Sequence, residues 1–345
     1  MERDCLHAAR EHGVLVIASV RFRNFKALRD ARVRLAPFNL VLGPNGSGKT
    51  SLIEALLHLR GLANLAPRPI GPVPESGGGP DIQFQFTPPH AAVEVRLGCV
   101  DATRCNALNI RPPDAPDWPA LKAEIARIRS YVFDHEAMSR PAPAEEADEL
   151  SADAANLPAL LATWKRRHPE AYAAFVREAL RLFPEYSAMA LRERPGNRIA
   201  LAFTLVGEVG VVDVENISQG TLHTLGILAL SVTPTPPSVL CIEEIDRGVH
   251  PRMLREIRDA FYRLSYPEAS GLKRPPVQVL ATTHSPYLLD LFRDHPEEIV
   301  LTQKHGREAH FMALTDLPNF REVLVEGALG DLWFSGILGG VPEVD

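Results

Sequence analysis

No apolar run in this chain approaches the roughly 18 residues that a membrane-crossing helix needs, so no helical span is expected. Positive charge is scarce too: 37 Lys and Arg stand against 43 Asp and Glu, giving a formal charge of −6. A chain of that balance has no whole-molecule attraction for nucleic acid or anionic lipid, and any such contact has to rest on a local basic patch. Cysteine is limited to Cys5, Cys99, Cys105 and Cys241, with no paired C-x-x-C spacing. Zinc ligation is not expected, and the four read as reduced thiols rather than disulfide partners. The opening Met1-Glu2-Arg3-Asp4-Cys5 carries acids early and has no apolar core of a secretion signal, so the expected compartment is the cytoplasm. Sustained heptads and internal repeats are also lacking, which excludes long coiled-coil arms.

What is present is a globular composition, 46% hydrophobic and 23% charged over 345 residues, enough for one large domain or two of ordinary size. Within it, Gly43-Pro44-Asn45-Gly46-Ser47-Gly48-Lys49-Thr50 matches every position of the phosphate-binding G-x-x-x-x-G-K-[ST] loop. The apolar Phe38 to Leu42 before it reads as a buried strand. Ser51 to Arg60 after it reads as a helix, stopped by Gly61. Glycines let backbone N–H groups turn inward around phosphates, and the helix N-terminus adds partial positive charge. Asn45 to Ser51 are therefore the expected nucleotide-binding stretch. Lys49 would reach the β- and γ-phosphates, and the Thr50 hydroxyl would ligate Mg²⁺. A nucleoside triphosphate is the expected ligand.

Three later segments narrow the chemistry. Ser238 to Ile242 reads as a buried parallel strand delivering Glu243 and Glu244 to its C-terminal edge, where α/β sheets place ligands. Glu243 would hold the Mg²⁺ shell and Glu244 would polarise the attacking water as general base. The bland alternative is a solvated acidic turn. Val277 to Thr283 forms another apolar strand, ending in His284-Ser285, with Pro286 opening a helix. At such a strand tip His284 could hydrogen-bond the γ-phosphate or the attacking water; otherwise it is one of twelve ordinary histidines. Ser218 and Gly220 open an apolar helix from Leu222 to Leu230. Taken alone, Ser218 is a plain N-cap; as a second phosphate cradle, it would approach a γ-phosphate held by another molecule.

P-loop, then Ser218-Gln219-Gly220-Thr221, then an apolar strand ending Glu243-Glu244, then Thr282-Thr283-His284-Ser285-Pro286, resembles the motif order of ABC-type ATPase heads. More closely the chain is similar to stand-alone, AAA-annotated ATPases of the RecF, SMC and OLD-like group. Val20 to Leu28 resembles their opening strand, Pro44-Asn45-Gly46 their P-loop filling, and Gly330 to Gly336 their tail. The resemblance implies an α/β fold of ABC-head type, a mixed sheet with antiparallel N-terminal strands, a helical insertion lobe and no coiled-coil arms. It also implies ATP and Mg²⁺ as ligands, ATP rather than GTP, and hydrolysis with Glu244 and His284 as catalytic residues. Ser218 and Gly220 would touch the γ-phosphate of ATP held by a second protomer, and Asp246, Arg247 and Gly248 would form a dimer-facing loop. Glu243 stands where aspartate is commoner in the wider superfamily. A Q-loop glutamine is missing: Gln83 and Gln85 fall too near the P-loop, and Tyr131 to Asp134, at about the right place, contains none.

The expected organisation is 1–135 for the first half of the head, 136–200 for a helical lid lobe and 201–345 for the second half. Ile82 to Phe86 and Ala92 to Leu97 read as antiparallel strands, and the Pro- and Gly-rich stretch from Pro67 to Pro80 as a mobile loop. Leu157 to Leu182 is helical in pattern, with Trp164, Tyr172, Phe175 and Val176 among its apolar face. Lys165 to His168 and the Arg192, Arg194, Arg198 cluster are the best basic candidates for phosphates, or else charges paired with Glu170 and Glu193. Phe25 is the candidate for adenine stacking. The family resemblance points to a dimeric ATP-gated switch in DNA repair or anti-phage defence. DNA is a possible partner, and a nuclease or other effector must come from another protein, since no nuclease site follows the ATPase motifs. The alternative, a cassette energising a membrane transporter, predicts a recognisable Q-loop.

Overall fold

The computed structural model describes residues 17–64, 79–207 and 210–338, apart from 319, 321, 323, 325 and 326. Cys5, and the Pro67 to Pro80 stretch up to residue 78, lie outside the described residues. Two compact units result, one of 1–130, 237–245 and 262–345, the other of 131–236 and 246–261.

The first unit holds two sheets. Strands β1 (Ile17–Phe25), β2 (Leu28–Arg34), β4 (Asp81–Phe86), β5 (Glu94–Cys99) and β6 (Cys105–Arg111) form an antiparallel sheet in the order β2-β1-β4-β5-β6. Alternation along these strands decides its faces. Val20, Phe22, Ile82, Phe84, Val95 and Leu97 are buried in the core, while Arg32 and Arg34 point to solvent.

The second sheet is mixed, in the order β15-β14-β3-β13-β12-β7. It contains β3 (Phe38–Leu42), β7 (Arg129–Tyr131), β12 (Val239–Ile242), β13 (Gln278–Thr283), β14 (Ile299–His305) and β15 (Glu308–Ala313). β3 runs parallel to both β13 and β14, β12 runs parallel to β13, and β15 closes the edge antiparallel to β14. Every residue of β3, β12 and β13 is buried, as parallel strands covered on both faces require. Helix α2 (Trp118–Ile125) buries Leu121 and Ile125 in the same core as the antiparallel sheet, and helix α1 (Lys49–Ala63) buries Leu52, Ile53, Leu56 and Leu59 there. It does not stop at Gly61 as expected. The helix runs on because Leu62 and Ala63 still find apolar burial, which offsets the roughly 1 kcal/mol that an interior glycine costs.

Cysteine chemistry departs from the expectation of four thiols. Cys99 and Cys105 face each other across the β5–β6 hairpin, Cα atoms 3.7 Å apart, and are joined as a disulfide. The hairpin turn does this: Asp101 accepts from the N–H groups of Thr103 and Arg104 at 2.8 and 2.9 Å, reversing the chain within five residues. Spacing rules built on C-x-x-C do not see a cross-strand pair. Cys241 is the buried free thiol among the described residues, and burial pushes it up to about 12.

The second unit carries α3 (His135–Met138), α4 (Leu157–Arg167), α5 (Pro169–Leu182) and α6 (Gln219–Val232). The helical patterning over 157–182 corresponds to α4 and α5, broken at His168 before Pro169. Trp164 and Phe175 are its fully buried aromatics. A sheet that the helical pattern did not announce accompanies them. In it β10 (Arg198–Leu205) pairs antiparallel with β9 (Tyr186–Arg194), β8 (Ala142–Pro143) and β11 (Val211–Asp213). The basic candidates sit here and are paired with acids other than those expected. Arg166 meets Glu146 at 2.9 Å, Arg167 meets Asp148 at 3.2 Å, and Arg192 and Arg194 both reach Asp213. Arg198 donates to Pro141 O at 2.8 Å. Such exposed pairs contribute up to about 1 kcal/mol each, but they leave less free positive charge than the sequence suggests.

Candidate functional site

The glycine loop stands between β3 and α1. Gly46 and Gly48 have φ of 72° and 101°, a left-handed backbone that side-chain-bearing residues avoid, and Gly48 is the N-cap of α1. Asn45, Gly46 and Thr50 are exposed, whereas Ser47, Gly48, Lys49 and Ser51 are buried. The Lys49 ammonium donates to the carbonyls of Gly43 at 2.6 Å and Pro44 at 2.9 Å. Burial pushes it down to about 8, against the opposing pull of Glu243 and Glu244.

A buttress that the sequence reading missed lies under this loop. Thr302 of β14, fully buried, has its one hydroxyl proton between two acceptors, Leu42 O at 3.0 Å and Ser47 Oγ. Ser47 Oγ also donates to Pro44 O at 2.7 Å. A Cβ on Gly43 would lie 1.7 Å from Thr302 Oγ1, so Gly43 is glycine to admit this contact as well as to shape the loop. Nothing in the sequence marks Thr302, because only the β3–β14 pairing brings it to the loop.

β12 ends where expected, and its two acids take different positions. Glu243 is half-buried and accepts from Thr50 Oγ1 at 3.0 Å. A hydroxyl and a carboxylate held together at the edge of a phosphate loop are a donor set suited to Mg²⁺. Glu244 is exposed, with φ of 51°, a left-handed conformation costing about 1–3 kcal/mol outside glycine. Its N–H donates to Thr282 Oγ1 at 3.0 Å on β13. Two residues on, His284 is exposed at the strand end. Ser285 then caps α8 (Pro286–Asp290), accepting from Leu288 N at 3.3 Å. The first unit thus brings together Asn45 to Ser51, Glu243, Glu244 and the strand end carrying His284.

Ser218 and Gly220 belong to the second unit. Ser218 is the N-cap of α6, its Oγ accepting from Thr221 N at 3.2 Å. A Cβ on Gly220 would lie 2.2 Å from Gly248 O, so the two expected dimer-facing loops touch backbone to backbone. Asp134, in the segment where a Q-loop glutamine was sought, caps α3 instead through Glu136 N at 2.9 Å.

Phe25 does not suit adenine stacking. Its ring is fully buried in the core, edge-on to His58 at 6.1 Å between centroids, and stacking on a base would require leaving that core. Phe25 stands three positions after Phe22, so strict alternation would turn the two rings to opposite faces; the left-handed backbone at Asn24, φ 52°, breaks the alternation and both rings are buried.

No curated protein matches this chain. Solved structures match it in fold over nearly all their length. An SMC head bound to the C-winged helix domain of ScpA shares 15% identity at a TM-score of 0.59, covering 89% of this chain and 99% of that one. An SMC head with an extended coiled coil, bound to the C-terminal domain of ScpA derived from Pyrococcus furiosus, shares 12% identity at 0.54, covering 90% and 99%. The SMC head domain from Thermotoga maritima shares 13% at 0.50, covering 86% and 98%. The fold is that of an ABC-type ATPase head, with no coiled-coil arm among the described residues. Residues 38–290 match the family described as "AAA domain, putative AbiEii toxin, Type IV TA system". That match takes in the phosphate loop, both acids and the histidine strand, and this chain, a P-loop ATPase of the RecF, SMC and OLD-like group, belongs to that family.

Proposed function

We propose that the chain hydrolyses Mg-ATP and acts as a dimeric, nucleotide-gated switch. The observation that carries the reading is the contact of Thr50 Oγ1 with Glu243 Oε2 at 3.0 Å, a hydroxyl and a carboxylate suited to Mg²⁺ at the phosphate loop. Mg²⁺, when bound there, would offset the negative charge of the phosphates. Backbone N–H groups from Asn45 to Ser51 cradle the phosphates, and Lys49 exchanges its two loop carbonyls for phosphate oxygens. Glu244 takes a proton from water as the water oxygen attacks the γ-phosphorus and the bond to the β-bridging oxygen breaks. His284 hydrogen-bonds the γ-phosphate or that water. Ser218 and Gly220 of a second copy complete the site, so two protomers sandwich two ATPs and part after hydrolysis.

The lobe over 136–200 would report the nucleotide state to a partner, within a division at 1–135 and 201–345. The family description, which names a toxin of a Type IV TA system, lends weight to defence over DNA repair as the setting. Arg166, Arg167, Arg192 and Arg194 are already paired with carboxylates, which favours an effector protein such as a nuclease over direct DNA contact. The test is the solution mass of Glu244→Gln with and without Mg-ATP. A monomer-to-dimer shift with Mg-ATP alone is expected. ATP bound without any shift would sink the sandwich.

A further inference from the structure

Glu244 combines a proposed catalytic side chain with an unfavourable backbone, and one residue supplies contacts that hold it there. Thr282 lies on β13 and is 2% exposed. Its Oγ1 accepts from Glu244 N at 3.0 Å, and its carbonyl accepts from Ile245 N at 3.1 Å. Two successive N–H groups of the turn after β12 therefore end on one threonine. On its other side Thr282 stands in register with Val41 of β3, the strand that leads into the phosphate loop, and His284 follows two positions later. A left-handed conformation at a non-glycine residue persists only when its surroundings over-determine it. The β-branched threonine has a stiff χ1 that aims its hydroxyl at a fixed point.

We propose that Thr282 is the positioning residue for Glu244, holding its backbone in the left-handed turn that presents the carboxylate to the attacking water. The inference rests on Glu244 being the general base. Thr282 also ties the base to the strand that ends in His284, so both groups keep a common reference to the phosphate loop. The hydroxyl acts through Glu244 and does not itself meet substrate.

The full chain is assayed for steady-state ATP hydrolysis, binding of a fluorescent ATP analogue, and thermal unfolding. Thr282→Val keeps the shape and removes the acceptor. It is expected to lower kcat about tenfold, as a small misplacement of a reacting group does, with KM and analogue affinity within about twofold. Thr282→Ser, which keeps the hydroxyl, should recover most of that loss. In a Glu244→Gln background Thr282→Val should cause no further drop. Should Thr282→Val fail to fold, Thr282→Ala carries the same expectation. Wild-type turnover by Thr282→Val beside an inactive Glu244→Gln would overturn the positioning role alone. So would a loss that Thr282→Ser does not recover. Wild-type turnover by Glu244→Gln would instead overturn the base assignment.

Discussion

Thr50 Oγ1 donates to Glu243 Oε2 at 3.0 Å, joining two groups 193 positions apart in sequence. The pair exists because β12 and β3 flank β13 and run parallel to it within the mixed sheet, so both strands release their next residues at the same edge. Removing either of these proposed ligands should weaken the affinity for Mg²⁺ first. Thr50→Val and Glu243→Gln should each raise the Mg²⁺ concentration for half-maximal turnover by at least about tenfold. An unchanged Mg²⁺ requirement in both variants would remove these residues from the metal site.

Glu244 sits at φ 51°, so glycine should be the more stable residue there. Glu244→Gly should abolish turnover while unfolding about 1 kcal/mol later than Glu244→Gln, the comparison that leaves charge out. Urea midpoints of the two variants decide it; equal midpoints would mean that the turn holds no strain.

Burial holds the Lys49 ammonium down at about 8 from an ordinary 10.5. In the free protein the cost of keeping it charged is fully present below pH 8 and is relieved between about 8 and 10.5, as the folded form releases its proton first. A bound polyphosphate favours the charged form. At pH 9 nucleotide binding should therefore take up protons, visible as a binding enthalpy that changes with the buffer's protonation enthalpy. Lys49→Arg, permanently charged, should bind without that uptake. Buffer-independent enthalpies for the wild type would count against the shift.

Away from the site, Glu298 is buried with its carboxyl accepting from Tyr262 at 2.6 Å and Tyr266 at 2.5 Å. Tyr262 lies in α7 (Leu254–Ser265), and Tyr266 follows it. Burial pushes Glu298 up to about 7 even though both hydroxyls pull it down. The folded chain then binds a proton that the unfolded chain has released, so stability declines from about pH 4.5 to 7 and levels off above. Glu298→Gln should lose that decline, gaining on the wild type as pH rises through this window. A urea-midpoint difference that stays constant from pH 4.5 to 8 would refute it.

Local chemistry was readable wherever the determinants are contiguous. The glycine loop, the apolar runs of β3, β12 and β13, and the cap at Ser218 each lie within a dozen residues, and backbone geometry follows from such segments directly. The resemblance carried by their order reached the family as well. The Cys99–Cys105 bond was misread because it depends on a hairpin turn, and Phe25 because a left-handed residue, Asn24, turns its ring inward against the alternation of β1. The strand β9 was overlooked because it is largely exposed and charged, and β10 because a short apolar run with Ala200 to Phe203 buried has no period that separates a strand from a buried helix segment.

The amino-acid sequence by itself determined that this chain would cradle phosphates, and which lysine, hydroxyl and acids were available for it, because those roles depend on residue type and near-neighbour spacing. Only the tertiary structure decided that Thr50 meets Glu243, that Thr302 buttresses Ser47, and that Glu244 is turned left-handed against Thr282. Those pairings depend on strand order and register, which bring residues from distant parts of the chain to one sheet edge and have no local signature in the order of the residues.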